Sequence, residues 1–246
     1  MLSKKRELMQ DKIALVTGSS RGIGRDIALR LADIVSGVAV HYKSNREEAI
    51  QVIKAIKQRG KLSASFQADL TKEREASGLI KKVQEKFGKI DILVNNFGPL
   101  LVKPWERVTS KDWEYILRSN LESAFFCLKA ALPGMRKRKW GRIINIGYSR
   151  AEQLVAFPTI MPYAVSKTGL LILTRTVAAS VAFLGITVNM VSPGLIEGGI
   201  LPSSKSVPIG RLGKFKDISE AILFLVSEKA GFITGTNLIV AGGWKI

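Results

Sequence analysis

Residues 14–24 read A-L-V-T-G-S-S-R-G-I-G, and the reading of this stretch decides the fold. Ile13 to Val16 form a short apolar run suited to a buried strand. Gly18, Gly22 and Gly24 follow it, and a helical pattern begins at about Arg25. Such a turn lets backbone N–H groups and a helix N-terminus approach a pyrophosphate with no side chain in the way. A dinucleotide is therefore expected at this end of a parallel sheet. The spacing is G-x-x-x-G-x-G rather than G-x-G-x-x-G, so the strand-turn-helix context carries more of the inference than the glycines do. A glycine-rich turn with no ligand is the competing reading.

Outward from the turn, Ile27, Ala28, Leu31 and Ala32 recur at helical spacing. Short apolar runs at 38–42, 62–67, 90–94, 142–146, 187–191 and 237–240 read as strands. Between them, residues 47–58, 72–87, 112–129 (with an extension to 135), 163–183 and 217–227 read as helices. Ser44 or Asn45 is placed to cap the second helix. This alternation predicts an α/β chain: a single-domain Rossmann-like, doubly wound parallel sheet flanked by helices. No repeat or linker divides residues 1–246, so one dinucleotide-binding and catalytic domain is expected.

A chain of 246 residues that is 46% hydrophobic can bury a full core of this kind. Its 38 basic and 20 acidic residues give a formal charge of +18, which bears on partners and solubility rather than on fold. One cysteine, Cys127, excludes an internal disulfide and sits in an apolar run as a small hydrophobe. The basic start contains no apolar signal region, and no run approaches a membrane span. A cytoplasmic protein is expected, with the cluster at 4–6 available to an anionic surface. Nucleic-acid binding would follow from charge alone, since no recognition motif supports it.

At the end of the second strand, where a carboxylate commonly accepts the adenosine ribose of NAD, the chain reads H-Y-K-S-N-R, with none before Glu47. Lys43 and Arg46, with Arg21 from the turn, are suited to a 2′-phosphate. NADP(H) is expected, with NAD(H) the lesser alternative. His41 reads as structural or partly exposed; as the one histidine it has no imidazole partner for a metal site, and none is expected.

Tyr163 and Lys167 are four apart at a helix start and share a face. An ammonium beside a phenol lowers its pKa and suits it to protonate a carbonyl oxygen as hydride reaches the carbon. Alone, Y-x-x-x-K is an ordinary surface pattern; its value lies in following the fifth strand, at the end of the sheet where the glycine turn would bring a nicotinamide.

With these motifs in this order, the sequence from about Lys12 to Trp244 resembles the short-chain dehydrogenase/reductase superfamily, most closely its 3-oxoacyl-[acyl-carrier-protein] reductase branch. Thr17-Gly18-x-x-x-Gly22-Ile23-Gly24 is similar to the cofactor turn, with Ser20 and Arg21 inside it. Asn95-Asn96-Phe97-Gly98 resembles the N-N-A-G element, and Tyr163 with Lys167 the active-site pair. The resemblance implies that Asn120 keeps a helix kink and a proton-relay water, that Asp69-Leu70 lies near adenine, and that Pro193-Gly194 turns beside nicotinamide. It implies Tyr163 as acid in reduction, with Lys167 lowering its pKa and holding the nicotinamide ribose.

The family's oxygen-polarising serine is harder to place. Counting forward from the strand reaches Tyr148, and counting back from Tyr163 reaches Arg150. Ser149, between them, is the candidate if a loop insertion brings its hydroxyl into place; the alternatives are Tyr148 as a substitute donor and no equivalent donor at all. Phe97 replaces a small alanine, and must narrow the pocket or pack beneath it. Gly198 stands where a threonine contacts the cofactor, and a shortened lid at 203–208 predicts a more open pocket or one completed by another subunit.

The resemblance implies subunit interfaces on helices 112–132 and 163–183 and on the terminal segment 233–244, hence a homotetramer or a dimer. Ala241 stands where an aspartate is common in that terminal segment. Trp105, Trp113, Trp140 and Trp244 read as packing or interface residues. Arg136, Lys137, Arg138, Lys139 and Arg142 form a basic patch that could steer an acidic acyl carrier protein. The expected function is NADPH-dependent reduction of a 3-oxoacyl thioester. The alternatives are an oxidoreductase of a small free ketone, sugar, steroid or pterin, and a weakly catalytic nucleotide-binding protein.

Overall fold

Every apolar run read as a strand pairs into one parallel sheet: β1 (Ile13–Val16), β2 (Gly37–Tyr42), β3 (Leu62–Gln67), β4 (Ile92–Asn95), β5 (Gly141–Ile146), β6 (Ile186–Pro193) and β7 (Asn237–Val240). Their order across the sheet is β3-β2-β1-β4-β5-β6-β7. The computed structural model describes residues 9–199 and 206–245. The helices between the strands are α1 (Gly22–Leu31), α2 (Arg46–Lys57), α3 (Glu73–Phe87), α4 (Ser110–Leu117), α5 (Ser123–Arg138), α6 (Met161–Val181) and α7 (Phe215–Val226).

Strand alternation divides the core into two layers. Ala14, Val16, Val38, Val40, Ile92, Val94 and Ile144 face Ile27 and Leu31 of α1, Val52 and Ile56 of α2, and Ile218 and Ile222 of α7. Leu15, Ala39, Leu93 and Ile143 face Leu79 and Val83 of α3, Cys127 and Leu128 of α5, and Ala178 and Val181 of α6. Cys127 is a packed hydrophobe there, its thiol pushed up to about 12 by burial.

Three boundaries depart from expectation for local reasons. The regular fourth strand starts at Ile92 rather than Ile90; just before it, the Asp91 backbone already bonds to Ile13 and Arg142, and its carboxylate accepts the Ile13 N–H at 2.9 Å and pairs with Lys89 and Arg138, each at 3.3 Å. The helix read as continuous from 112 is α4 and α5 joined by a π-helical turn at Arg118–Glu122. Asn45 occupies the N-cap of α2 without capping it; its amide donates to Glu48 at 2.9 Å instead.

The basic patch also shrinks. Arg142 is buried, with its guanidinium over Trp140 and an ion pair to Glu228 at 3.4 Å, while Arg138 is held by Asp91. Arg136, Lys137, Arg138 and Lys139 remain exposed, Arg138 while paired with Asp91. Helix α6 with the turn after it, Met161–Leu184, has the length and hydropathy of a membrane span. It packs along β6 and carries Lys167 into the interior.

β1 runs to β2 on one side and pairs with β4 on the other. The turns after β1 and β4 therefore face each other at the carboxyl edge, the topological switch point where ligands of such sheets bind.

Candidate active site

At that switch point Gly18 and Gly22 adopt φ of +61° and +58°, a region that disfavours any side chain. A Cβ on Gly24 would lie 2.4 Å from the Gly18 carbonyl and 2.5 Å from Asn96 Nδ2. Asn96 braces the turn from β4: Nδ2 donates to the carbonyls of Thr17 and Gly18 at 2.9 and 3.0 Å. The backbone N–H groups of Asn96 and Phe97 both donate to Thr17 Oγ1, at 2.9 and 3.0 Å.

From the other side His41 Nδ1 accepts the Gly18 N–H at 2.9 Å, which leaves Nε2 as the protonated nitrogen donating to the Ala68 carbonyl at 3.1 Å. His41 is fully buried and structural, and burial holds its pKa down at about 4. The outcome is a cradle without side chains at the start of α1, which fits the pyrophosphate of a dinucleotide.

A cleft of about 610 Å³ opens from this cradle across the sheet edge. Of the residues expected to bind the cofactor or act in catalysis, Gly18, Ser20, Arg21, Gly22, Ile23, Gly24, Lys43, Asn96, Gly98, Tyr163, Lys167, Pro193 and Gly194 all line it. Four predicted residues do not. Leu70 is buried in the core beneath α3, and Asp69 is turned to the neighbouring groove, where it pairs with Lys43 at 3.1 Å and accepts from Thr71. Asn120 and Ser149 lie behind the wall.

Tyr42, Tyr115 and Trp244 are wall residues that sequence reasoning missed. Trp244, expected as a packing or interface residue, does pack, but against the cleft. Glu48 was missed too. It follows the segment free of carboxylates, yet the first turn of α2 brings it to Asn45 Nδ2 and to within 3.5 Å of Ser20 Oγ at the cleft rim.

Helix α6 begins with Pro162 in its first turn, which suits an N-terminus, and this places Tyr163 on the cleft and Lys167 one turn deeper. Lys167 Nζ donates to the Ile146 carbonyl at 2.7 Å and lies 5.5 Å from the Tyr163 ring centroid. Burial pulls the Lys167 pKa down to about 7 and pushes that of Tyr163 above its ordinary value, with Tyr148 nearby adding to the rise. Desolvation thus raises the phenol where its ammonium neighbour was expected to lower it.

Asn120 sits in the π-helical turn, consistent with the expected kink. Its Nδ2 donates to the carbonyls of Pro99 and Ile116 at 3.0 and 3.1 Å. Its Oδ1 is buried, with no hydrogen-bond partner among the described residues. A Cβ on Gly98 would fall 2.3 Å from that oxygen and 3.4 Å from Lys167 Nζ, so Gly98 is the gap through which both approach one spot.

The structure brings Tyr148, not Ser149, to the cleft. Past the end of β5 the ladder continues: Gly147 N–H donates to Val191 and Ser149 N–H to Pro193, at 2.8 and 3.1 Å. Strand alternation therefore persists, sending Ile146 and Tyr148 to the cleft and Ser149 to the other face. Ser149 is buried, and its hydroxyl has no partner among the described residues. The extra loop residues are absorbed in the turns after it, so they never swing Ser149 round.

The other departures resolve simply. Phe97 packs into the core, edge-on to His41 at 6.4 Å, while still touching the cleft. Gly198 has φ of +77°, a backbone on which a threonine would be strained. Of the shortened lid, residues 203–205 lie outside the described residues, as does the basic cluster at 4–6. Val207 and Pro208 pack over Gly242 and Gly243.

With the geometry established, comparison with known proteins is informative. Residues 18–245 match the family model described as enoyl-(acyl carrier protein) reductase. The chain is 39% identical to 3-oxoacyl-[acyl-carrier-protein] reductase FabG of Haemophilus influenzae, over 96% of this chain and 98% of that one. It is 35% identical to glucose 1-dehydrogenase 2 of Bacillus subtilis, over 96% and 95%. Among solved structures, a blue fluorescent protein from a metagenomic library in complex with NADPH superposes with a TM-score of 0.90, at 32% identity over 96% and 98% of the two chains. The sheet order, the glycine cradle and these full-length relatives agree: the chain belongs to the short-chain dehydrogenase/reductase family of oxidoreductases.

Proposed function

We propose that this protein reduces a carbonyl compound with NADPH, that a 3-oxoacyl thioester is its favoured substrate, and that Tyr163 supplies the proton. The observation that carries this reading is Tyr163, with the Lys167 ammonium 5.5 Å from its ring, on the wall of the same cleft as the glycine cradle. When bound, the dihydronicotinamide supplies hydride to the carbonyl carbon. Tyr163 gives its proton to the oxygen, Lys167 steadies the charge left on the phenol, and Gly98 leaves room for Asn120 and Lys167 to share that spot. Gly18, Gly22 and Gly24 hold the pyrophosphate, Pro193-Gly194 borders the nicotinamide, and Arg21 and Lys43 hold the 2′-phosphate. The structural neighbour solved in complex with NADPH supports that cofactor. Glu48 at the rim is what favours NAD(H) instead.

On this reading the whole chain acts as one dinucleotide-binding and catalytic domain in the cytoplasm. Exposed Phe125, Val165 and Ile172 on α5 and α6 serve a homotetramer. Arg136, Lys137 and Lys139 meet an acyl carrier protein; neither a membrane nor a nucleic acid takes part. A second reading, a free sugar or ketone as substrate, has the 35%-identical glucose dehydrogenase in its favour. Initial rates with NADPH and NADH on 3-oxoacyl thioesters, free ketones and sugars test both. NADPH turnover abolished in Tyr163→Phe, with NADPH binding kept, is the expected result. Tight NADPH binding with no turnover across the panel would leave a nucleotide-binding protein and overturn the enzyme.

A further inference from the structure

We propose that Tyr148 is a second catalytic phenol, one that donates a hydrogen bond to the same substrate oxygen that Tyr163 protonates. This rests on the cleft being a carbonyl-reducing site. The Tyr148 and Tyr163 rings meet edge-to-face with centroids 5.6 Å apart, so two phenols share one stretch of wall. The continued ladder from β5 to β6 fixes which side chain reaches it: Tyr148 faces in and Ser149 faces away. A Cβ on Gly147 would lie 2.3 Å from Ser192 Oγ and 2.5 Å from Met190 Sδ, so the backbone just before Tyr148 is pressed against β6 and has no room to turn over.

The Tyr148 ring is buttressed rather than loose. Phe157 packs edge-on at 6.1 Å, and the Arg150 guanidinium stacks over Phe157 at 4.9 Å while Gln153 Oε1 accepts from its Nε at 2.7 Å. Burial pushes the Tyr148 phenol above its ordinary pKa, against the lesser downward pull of the nearby Arg150 guanidinium, so the hydroxyl keeps its proton. With Tyr148 on the cleft wall, that proton is available to an oxygen bound there. Tyr148 keeps this proton throughout; the one transferred to the substrate oxygen comes from Tyr163, so no bond to Tyr148 forms or breaks.

Steady-state kinetics of Tyr148→Phe, Ser149→Ala, Tyr148→Ser and Tyr163→Phe, with NADPH and a 3-oxobutanoyl thioester or whichever panel carbonyl is turned over fastest, decide the matter. Tyr148→Phe is expected to lower kcat about 10²-fold, the usual cost of losing an oxygen-polarising donor, with NADPH affinity and KM nearly unchanged. Ser149→Ala is expected to keep the parent kcat, and Tyr148→Ser to recover much of the loss by restoring a hydroxyl. Full kcat in Tyr148→Phe, or a loss in Ser149→Ala equal to that in Tyr148→Phe, overturns the proposal. If Tyr163→Phe is dead while Tyr148→Phe is intact, only this proposal fails. Turnover surviving in Tyr163→Phe would instead remove the reading of the cleft on which it rests.

Discussion

Gly18 donates its backbone N–H to Nδ1 of His41 at 2.9 Å, so one imidazole ties the glycine turn after β1 to the end of β2. Its other nitrogen donates to Ala68 beyond β3, and the ring is walled in by Phe97. The glycine cradle is thus a product of three strand ends held in register by a side chain that does not line the cleft.

That arrangement carries a pH dependence. The unfolded chain binds a proton at His41 below about 6.5, whereas the native ring resists until about 4, because Nδ1 already accepts from Gly18 and burial penalises the cation. Stability is therefore complete above about 6.5 and is lost as pH falls toward 4, by on the order of 3 kcal/mol from this group. Urea unfolding at pH 7, 5.5 and 4.5 should show this loss in the parent and a flatter dependence in His41→Asn. Equal slopes in the two proteins would refute it.

The close approach at Gly24 makes a second expectation. A methyl there meets the Gly18 carbonyl at 2.4 Å, which is backbone and cannot swing aside, so Gly24→Ala should distort the turn and weaken NADPH binding at least tenfold in a fluorescence titration. Asn96→Ala removes the two bonds to Thr17 and Gly18; at about 1 kcal/mol each, it should cost roughly 2 kcal/mol, measured as a drop in Tm and in NADPH affinity together. Unchanged affinity in both variants would show that the cradle is not where the cofactor sits.

Lys167 sets a third. With its pKa drawn down to about 7 by burial, the free enzyme loses the ammonium as pH rises through neutrality. The charge that offsets the Tyr163 phenolate goes with it. Reductive kcat/KM should therefore fall above about pH 7, and Lys167→Met should be slow with no such limb. A parent profile flat from pH 6 to 9 would count against this role.

Much of the architecture was legible because it depends on local periodicity. Alternating apolar strands and 3.6-spaced helices marked all seven strands to within two residues at each end, and the glycines marked the cradle. The misses have tertiary causes. Ile90 and Asp91 look like the start of a strand, but the regular strand begins at Ile92, with the Asp91 carboxylate recruited to Ile13 and Arg138. The π-helical turn at 118–122 has no propensity signature, since it inserts one residue into an otherwise ordinary helical pattern.

Within the candidate site, the residues read from motifs line the cleft where the backbone itself is the working part, as at Gly18, Gly22 and Gly24. Side chains were harder. Leu70 and Asp69 fit a family pattern, yet one is core and the other is paired with Lys43. Trp244 and Tyr115 come from distant segments that converge only on folding.

The amino-acid order by itself determined the parallel sheet, the side-chain-free turn and the Tyr163–Lys167 pair, because each is written in spacings of four residues or fewer. Only the tertiary structure decided which of Tyr148 and Ser149 enters the cleft and that desolvation raises the Tyr163 phenol. Both answers depend on how far the ladder between β5 and β6 extends and on how much water the folded chain excludes, quantities that arise between segments and not along them.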